Sequence, residues 1–228
     1  MTIDKLKILC YNYMIILILG GNMEIIALPV TGFASNCYIV HNGKEAFAVD
    51  PSISEKKIIA KLEEKKLVLK GILLTHGHFD HTFCAKELRI ATGAPIYIHE
   101  LDTEMLTDAD KNAYRTFTGR DFTVGDADIL LHEGDIIHLG KEHIKVMHTP
   151  GHTRGSVCFD TGDSLLSGDT IFSQGFGRYD LYGGDVNSLK ASLMRLIKLA
   201  ESENRWLYPG HGESSTLRRA AEHLKYYF

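Results

Sequence analysis

The chain has 228 residues, a formal net charge of −4 and a hydrophobic share of 44%. That apolar content suffices for a sizeable core and excludes global disorder. The 25 basic side chains set against 29 acidic ones give no surplus that would draw nucleic acid. The unusual count is histidine, with 12 residues. Histidine is the commonest metal ligand and the usual acid or base near neutral pH.

Residues 1–22 stand apart. Lys5 and Lys7 precede an apolar stretch over 8–19, broken by Asn12. It is shorter than the roughly 20 apolar residues of a membrane span, and no A-x-A-like cleavage site follows it. The expectation is that Met23 is the natural start and 1–22 a peripheral extension, with a signal peptide as the alternative. One domain is expected over 23–228. Cys10, Cys37, Cys84 and Cys158 are scattered and form no C-x-x-C pair. They point to neither a disulfide scaffold nor a thiolate metal site, and a reducing cytoplasm is expected.

Short β-branched and aromatic runs predict strands over 23–29, 36–41, 45–49, 70–74 and 95–98. Further strands are predicted over 129–131, 135–139, 143–148, 156–160, 163–167 and 205–208. Ser52 and Glu55 have capping-box spacing ahead of Ile58, Ile59 and Leu62, which share one helical face. A helix is expected over 82–91. The clearest runs over 187–200, where Leu189, Leu193, Leu196, Ile197 and Ala200 make an apolar stripe. A last helix is expected over 216–226. Lysines 56, 57, 61, 65, 66 and 70 alternate with Glu55, Glu63 and Glu64 and read as a solvated face. Hairpins, then helix–strand alternation, then hairpins predict an α/β class with two packed sheets and helices outside.

The strongest local signal is Thr75-His76-Gly77-His78-Phe79-Asp80-His81, at the end of a predicted strand. At this chain's own His and Asp frequencies, H-x-H-x-D-H arises by accident in about two chains per thousand. Imidazoles and a carboxylate so close together are costly to bury unpaired, and they suit zinc, iron or manganese. Three other turns have the same character: Thr149-Pro-Gly-His152-Thr, Ser167-Gly-Asp169-Thr and Pro209-Gly-His211-Gly. Together the four places supply five His and two Asp, a natural set for two metals sharing a bridging carboxylate. The remaining histidines (41, 99, 132, 138, 143, 148 and 223) have surface or strand-end positions by default.

H-x-H-x-D-H, T-P-G-H-T, S-G-D and P-G-H-G, in this order, resemble the metallo-β-lactamase superfamily. Within it the chain is similar to glyoxalase II (hydroxyacylglutathione hydrolase) in its short form. The resemblance covers about residues 23–228. It implies a four-layer αβ/βα sandwich with the metals at one edge. It implies that His76, His78 and His152 hold one divalent metal and that Asp80, His81 and His211 hold a second. Asp169 is then the bridge, and Asp80 and Asp169 are the catalytic carboxylates. Zinc is the first expectation, with iron or manganese as alternatives. Asp50, in Val49-Asp50-Pro51, matches a family aspartate behind the metal loop. Arg178 matches a basic residue that helps hold the thiol substrate, and Tyr179 beside it is taken as a second contact. Only seventeen residues follow His211. The helical region that binds glutathione in the long form is therefore expected to be much reduced.

A water held between two metals loses its proton near neutral pH and can attack a carbonyl, with no Ser or Cys nucleophile needed. The expected activity is metal-dependent hydrolysis of a small-molecule thioester such as S-lactoylglutathione. Neither nucleic acid nor a membrane is expected as partner. The main rival is persulfide dioxygenase, an oxidoreductase with one iron that shares the G-R-x-D segment. A lactonase shares the metal motifs. A β-lactamase fits less well, because His81 stands where the familiar ones commonly carry a non-ligand residue.

Overall fold

Side-chain alternation along the central strands decides the architecture. In the computed structural model, which describes residues 10–11, 14–15, 23–30, 32, 34–225 and 227, two six-stranded sheets face each other. β1 (Cys10–Tyr11) and β2 (Met14–Ile15) form a short antiparallel pair. The choice between a late start and a signal peptide lies outside the described residues.

The first sheet runs β3 (Glu24–Leu28), β4 (Cys37–His41), β5 (Glu45–Val49), β6 (Val68–Leu73), β7 (Ile96–His99) and β8 (Ile129–Leu131). Its first three strands are antiparallel, and β5 to β8 are parallel. The second sheet holds β9 (Ile136–Leu139), β10 (Glu142–His148), β11 (Val157–Asp160), β12 (Ser164–Gly168), β13 (Trp206–Pro209) and β14 (Ser215–Thr216). All its neighbours are antiparallel except β12 and β13.

Successive residues of a strand point to opposite faces. Tyr38, Val40, Phe47, Val49 and Leu73 therefore face Ile144, Val146, Val157, Phe159 and Leu166 of the other sheet in one core. The alternate residues Cys37, Ile39, Ala46, Ala48 and Ile72 pack outward against α1 (Glu55–Lys65) and α3 (Ala85–Thr92) through Ile58, Leu62 and Leu88. On the far side, Met147, Cys158 and Leu165 pack against α5 (Val186–Ser202) and α6 (Leu217–Leu224). The order helix, sheet, sheet, helix makes four layers. Strands buried on both faces read as near-continuous apolar runs, as the central ones do here.

Two local expectations need correction. Ser52 does not cap α1. Its Oγ donates to the Ser35 carbonyl at 2.6 Å, while Ser54 is the N-cap residue and makes no side-chain cap bond. The helix expected over 82–91 is two helices, α2 (Phe79–Thr82) and α3. The Cys84 amide donates to the Pro51 carbonyl at 2.8 Å, and at φ −116° Cys84 leaves the helical path between them. The helix expected over 187–200 is found at Val186–Ser202, with Asp185 capping it through the Ser188 amide. No helix among the described residues is long and apolar enough to cross a membrane.

Candidate metal centre

Every sequence-predicted ligand follows the end of a strand. His76, His78, Asp80 and His81 follow β6, His152 follows β10, Asp169 follows β12 and His211 follows β13. These ends converge at one edge of the sandwich. The Val157 amide donates to the Thr75 carbonyl at 2.9 Å, joining the first sheet to the second beside the His-rich loop.

Three sets of ligand atoms lie within 4.8 Å of one another: His76 with His78 and His152, Asp80 with His81 and His211, and His76 with His81 and Asp169. Asp169 links the first two sets. Its Oδ1 is 3.2 Å from His81 Nε2, and its Oδ2 is 3.6 Å from His152 Nε2 and 3.5 Å from His211 Nε2. The turn that carries His211 tolerates no side chain at Gly210, where a Cβ would sit 2.1 Å from Asp169 Oδ1. Glycine is what lets this backbone close on the carboxylate.

The donor set fits cations. His78 Nδ1 and His76 Nε2 lie 2.9 Å and 3.2 Å from the same atom, His152 Nε2. With its Nδ1–H given to the Arg178 carbonyl, His152 Nε2 has one lone pair and can accept from only one of them, so nitrogens crowded like this cannot all be satisfied by one another. His78 Nε2, His81 Nε2 and Asp169 Oδ1 are buried without a hydrogen-bond partner. Burial and the neighbouring imidazoles push the His76 pKa well below its ordinary value, and burial and His152 push His78 down to about 3. Both are therefore neutral and ready to donate electron pairs at pH 7. The second set differs in charge. Burial alone would lower the His81 pKa, but Asp169, Asp50 and Asp80 outweigh it and hold it well above the usual range. Burial would likewise raise Asp80, and His81 and His211 outweigh it. Carboxylates gathered round a buried imidazole mark a place that calls for positive charge.

Two aspartates orient the ligand loops from behind. Asp50 accepts from the Thr75 amide at 2.8 Å, from Thr75 Oγ1 at 2.7 Å and from His81 Nδ1 at 2.8 Å. It adopts the left-handed region at φ 48°, a conformation stored where the surrounding structure over-determines it. The Asp50→Asn variant is expected to bind metal about 10- to 100-fold more weakly, because an amide no longer fixes the His81 ring. Competition with a coloured chelator would measure the change, and unaltered affinity would remove Asp50 from this role.

Asp102 was not foreseen. It lies in the 3-10 helix at Glu100–Leu106 and is fully buried. It accepts from the Gly77 amide at 3.1 Å, the Gly155 amide at 2.7 Å and Thr153 Oγ1 at 2.7 Å. One carboxylate thus ties the loop of His76 and His78 to the loop of His152. Burial raises its pKa in spite of these donors.

Among the remaining histidines, His41 and His99 are buried rather than exposed, both at strand ends. His99 stacks on His148 with ring centroids 4.1 Å apart and an interplanar angle of 13°. Burial, then His148, lowers its pKa from 6.5 to about 4, with His132 adding to this and Glu100 and Asp135 opposing it. The unfolded chain therefore takes up a proton that the folded chain resists. This contribution to stability is lost as pH falls from 6.5 towards 4. Replacing His99 by Gln should make metal-free protein less acid-sensitive, by something of order 2 kcal/mol between those limits. Urea unfolding at several pH values, with wild type alongside, would show it, and parallel curves would sink the idea.

The candidate metal centre opens into a cleft of about 880 Å³. His78, Asp80, His152, Asp169 and His211 form its floor, and Phe79, Phe83, Tyr114, Phe117, Phe172 and Leu181 form much of its wall. Tyr114 and Phe117 belong to α4 (Tyr114–Thr118), an element the sequence reading left unassigned. Arg178 also lines the cleft, and its backbone carbonyl accepts from His152 Nδ1 at 2.6 Å. That bond leaves His152 Nε2 as the nitrogen facing the other ligands. Tyr179 is exposed and is not among the cleft's lining residues.

Residues 30–211 match the family model described as the metallo-beta-lactamase superfamily. The chain belongs to the metallo-beta-lactamase superfamily. The hydroxyacylglutathione hydrolase GloC of Haemophilus influenzae is 32% identical over 86% of this chain and 93% of its own length. Among solved structures, the BLEG-1 B3 metallo-beta-lactamase has a TM-score of 0.81 at 34% identity, covering 88% of this chain and 97% of that one. The di-iron-bound form of TTHA1623 has a TM-score of 0.76 at 34% identity, covering 87% and 98%. The four-layer arrangement expected from the motifs is the fold these proteins share.

Proposed function

We propose that the protein is a metal-dependent hydrolase that cleaves the thioester of S-acyl thiols, giving a carboxylic acid and a free thiol. The observation that carries this reading is the pair of ligand sets joined through Asp169 and open to one cleft. Divalent cations there, zinc first among the candidates, supply Lewis acidity: they make water acidic and polarise a carbonyl oxygen. His76, His78 and His152 would hold one, and Asp80, His81 and His211 the other, with Asp169 shared.

The protein's own groups do the rest. Asp50 and the Arg178 carbonyl fix the His81 and His152 rings, so their Nε2 atoms face Asp169 without reorganisation. Asp80, at 3.2 Å from His211 and on the cleft floor, is placed to hold a proton of the attacking water. In the balanced reaction the water oxygen bonds to the carbonyl carbon. The C–S bond breaks with its electron pair on sulfur, and the displaced protons pass to solvent and thiolate. A thiolate leaves without a dedicated acid, and no other acidic or basic side chain is required above the carbonyl.

The GloC relative supports thioesters as the substrate class. Cys37, Cys84 and Cys158 are free thiols, which suits the reducing cytoplasm as the protein's place. Metal analysis of purified protein, combined with thioester assays before and after chelation, tests the reading. The expected result is two metal ions per chain, turnover lost on chelation and restored on readdition. A single iron with oxygen consumption on a persulfide would overturn it in favour of a dioxygenase. Preferential turnover of a β-lactam or a lactone would overturn it in favour of those hydrolases.

A further inference from the structure

Among the described residues, the wall of the cleft is aromatic and carries no unpaired cation. Phe79 meets Phe83 and Tyr114 at centroid distances of 5.3 Å each and Phe117 at 5.9 Å. Phe117 is 56% exposed, an aromatic ring held open to solvent at the cleft mouth. Arg178 is the one Lys or Arg among the described lining residues. Its Nε and Nη2 are bound by both oxygens of Asp180, at 2.6 Å and 2.7 Å, so its charge is already matched. What it offers the cleft is a flat guanidinium lying 5.8 Å from the Phe117 ring centroid. Of the neighbouring cations, Arg115 is paired with Asp110 and Asp121 and Lys111 with Glu104, while Arg120 and Arg154 are not among the lining residues.

A glutathione thioester has carboxylates at both ends of its peptide, and recognising them takes free cations or forked donors. Among the described lining residues the single guanidinium is already charge-paired with Asp180, so no free cation is left for either carboxylate. A lactoyl group is small and hydroxylated, and it would leave the aromatic wall uncovered. A cavity of this size takes a ligand of drug-like dimensions, and an apolar lining selects one methylene at a time.

We propose that the physiological substrate is a thioester with an apolar acyl chain of several carbons on a thiol lacking the terminal carboxylates of glutathione. The chain lies against Phe79, Phe83, Tyr114 and Phe117, and the thioester carbonyl lies over the metal ligands. This rests on the hydrolase reading above for the reaction but not for the shape of the ligand.

The test is a chain-length series of S-acyl-N-acetylcysteamine thioesters, acetyl to octanoyl, with S-lactoylglutathione assayed beside them on metal-loaded protein. The expected kcat/KM rises about three- to fourfold per methylene until the wall is covered. S-lactoylglutathione should fall at least about tenfold below the octanoyl compound. Calorimetry with non-hydrolysable thioethers reads binding apart from turnover. The octyl thioether of N-acetylcysteamine should bind, with S-methylglutathione binding far more weakly. Phe117→Ala should weaken octyl thioether binding about tenfold, and Phe117→Leu should restore part of it. The ring is exposed, so neither change threatens the fold. Rates independent of chain length, or preference for S-lactoylglutathione, would overturn the inference. Chain-dependent thioether binding that needs Phe117, without turnover of any thioester, would uphold the apolar ligand and overturn the hydrolase reading alone.

Discussion

The Asp169→Ala protein is expected to fold, to retain at most one metal ion per chain and to lose about a thousandfold or more in thioester hydrolysis. Asp169 is the side chain that touches both ligand sets, through His81 on one oxygen and through His152 and His211 on the other. Removing it leaves each set with its own imidazoles but nothing held in common. His81 keeps Asp50 on its other nitrogen, so the loop itself stays in place. The fold does not depend on Asp169, because the inter-sheet core formed by Val40, Phe47, Val146 and Phe159 lies apart from it. Elemental analysis, thermal unfolding and initial rates on one preparation would separate loss of metal from loss of structure. Full activity with two metals bound would refute the shared-carboxylate arrangement.

Asp102→Ala should have the largest effect on stability of any single change near the site, about 3–5 kcal/mol. The carboxylate accepts three hydrogen bonds, from Gly77, Thr153 and Gly155, in a place water does not reach. Truncation leaves the Gly77 and Gly155 amides buried and unpaired. Asn is no rescue, since its NH₂ would face donor groups. Both variants should also bind metal more weakly, because the two loops they untie carry His76, His78 and His152. Urea unfolding of metal-free protein isolates the fold from the metal. A loss below about 1 kcal/mol would show that the loops hold their shape without this bond set.

These two aspartates mark the boundary of what the sequence reveals. Asp169 is legible because its turn has a local signature, a glycine and a carboxylate just past an apolar run. The same holds for His76, His78, His81, His152 and His211, each in a short motif at a strand end. Asp102 has no such signature. Its importance comes from lying between two loops that are distant in the chain, and only the packing of the Glu100–Leu106 turn under Gly77 and Gly155 reveals it. His99 is similar: its stack on His148 joins the end of β7 to the end of β10. The fold class followed from the succession of apolar runs, because strands covered on both faces need layers on both sides. The finer errors were errors of competing local bonds. Ser52 had the right spacing for a cap but found the Ser35 carbonyl instead. The helix after the His-rich loop broke where the Cys84 amide found Pro51. The aromatic wall of α4 was missed because a five-residue helix is too short to show periodicity.

The candidate ligands come from the ends of strands in both sheets, and this orders events in time. Residues 76 to 81 belong to the early half of the chain, and 152, 169 and 211 to the late half. Contacts this remote in sequence are slow to form, because the loop between them must close before they contribute anything. A chain emerging from its N-terminus presents the His-rich loop long before its partners exist. Tight capture of a metal by this set would therefore report that the halves have docked and that β13 has joined the second sheet. Metal uptake during refolding should lag behind helix formation, with the ion acting as a seal on an assembled protein rather than as a seed for its assembly.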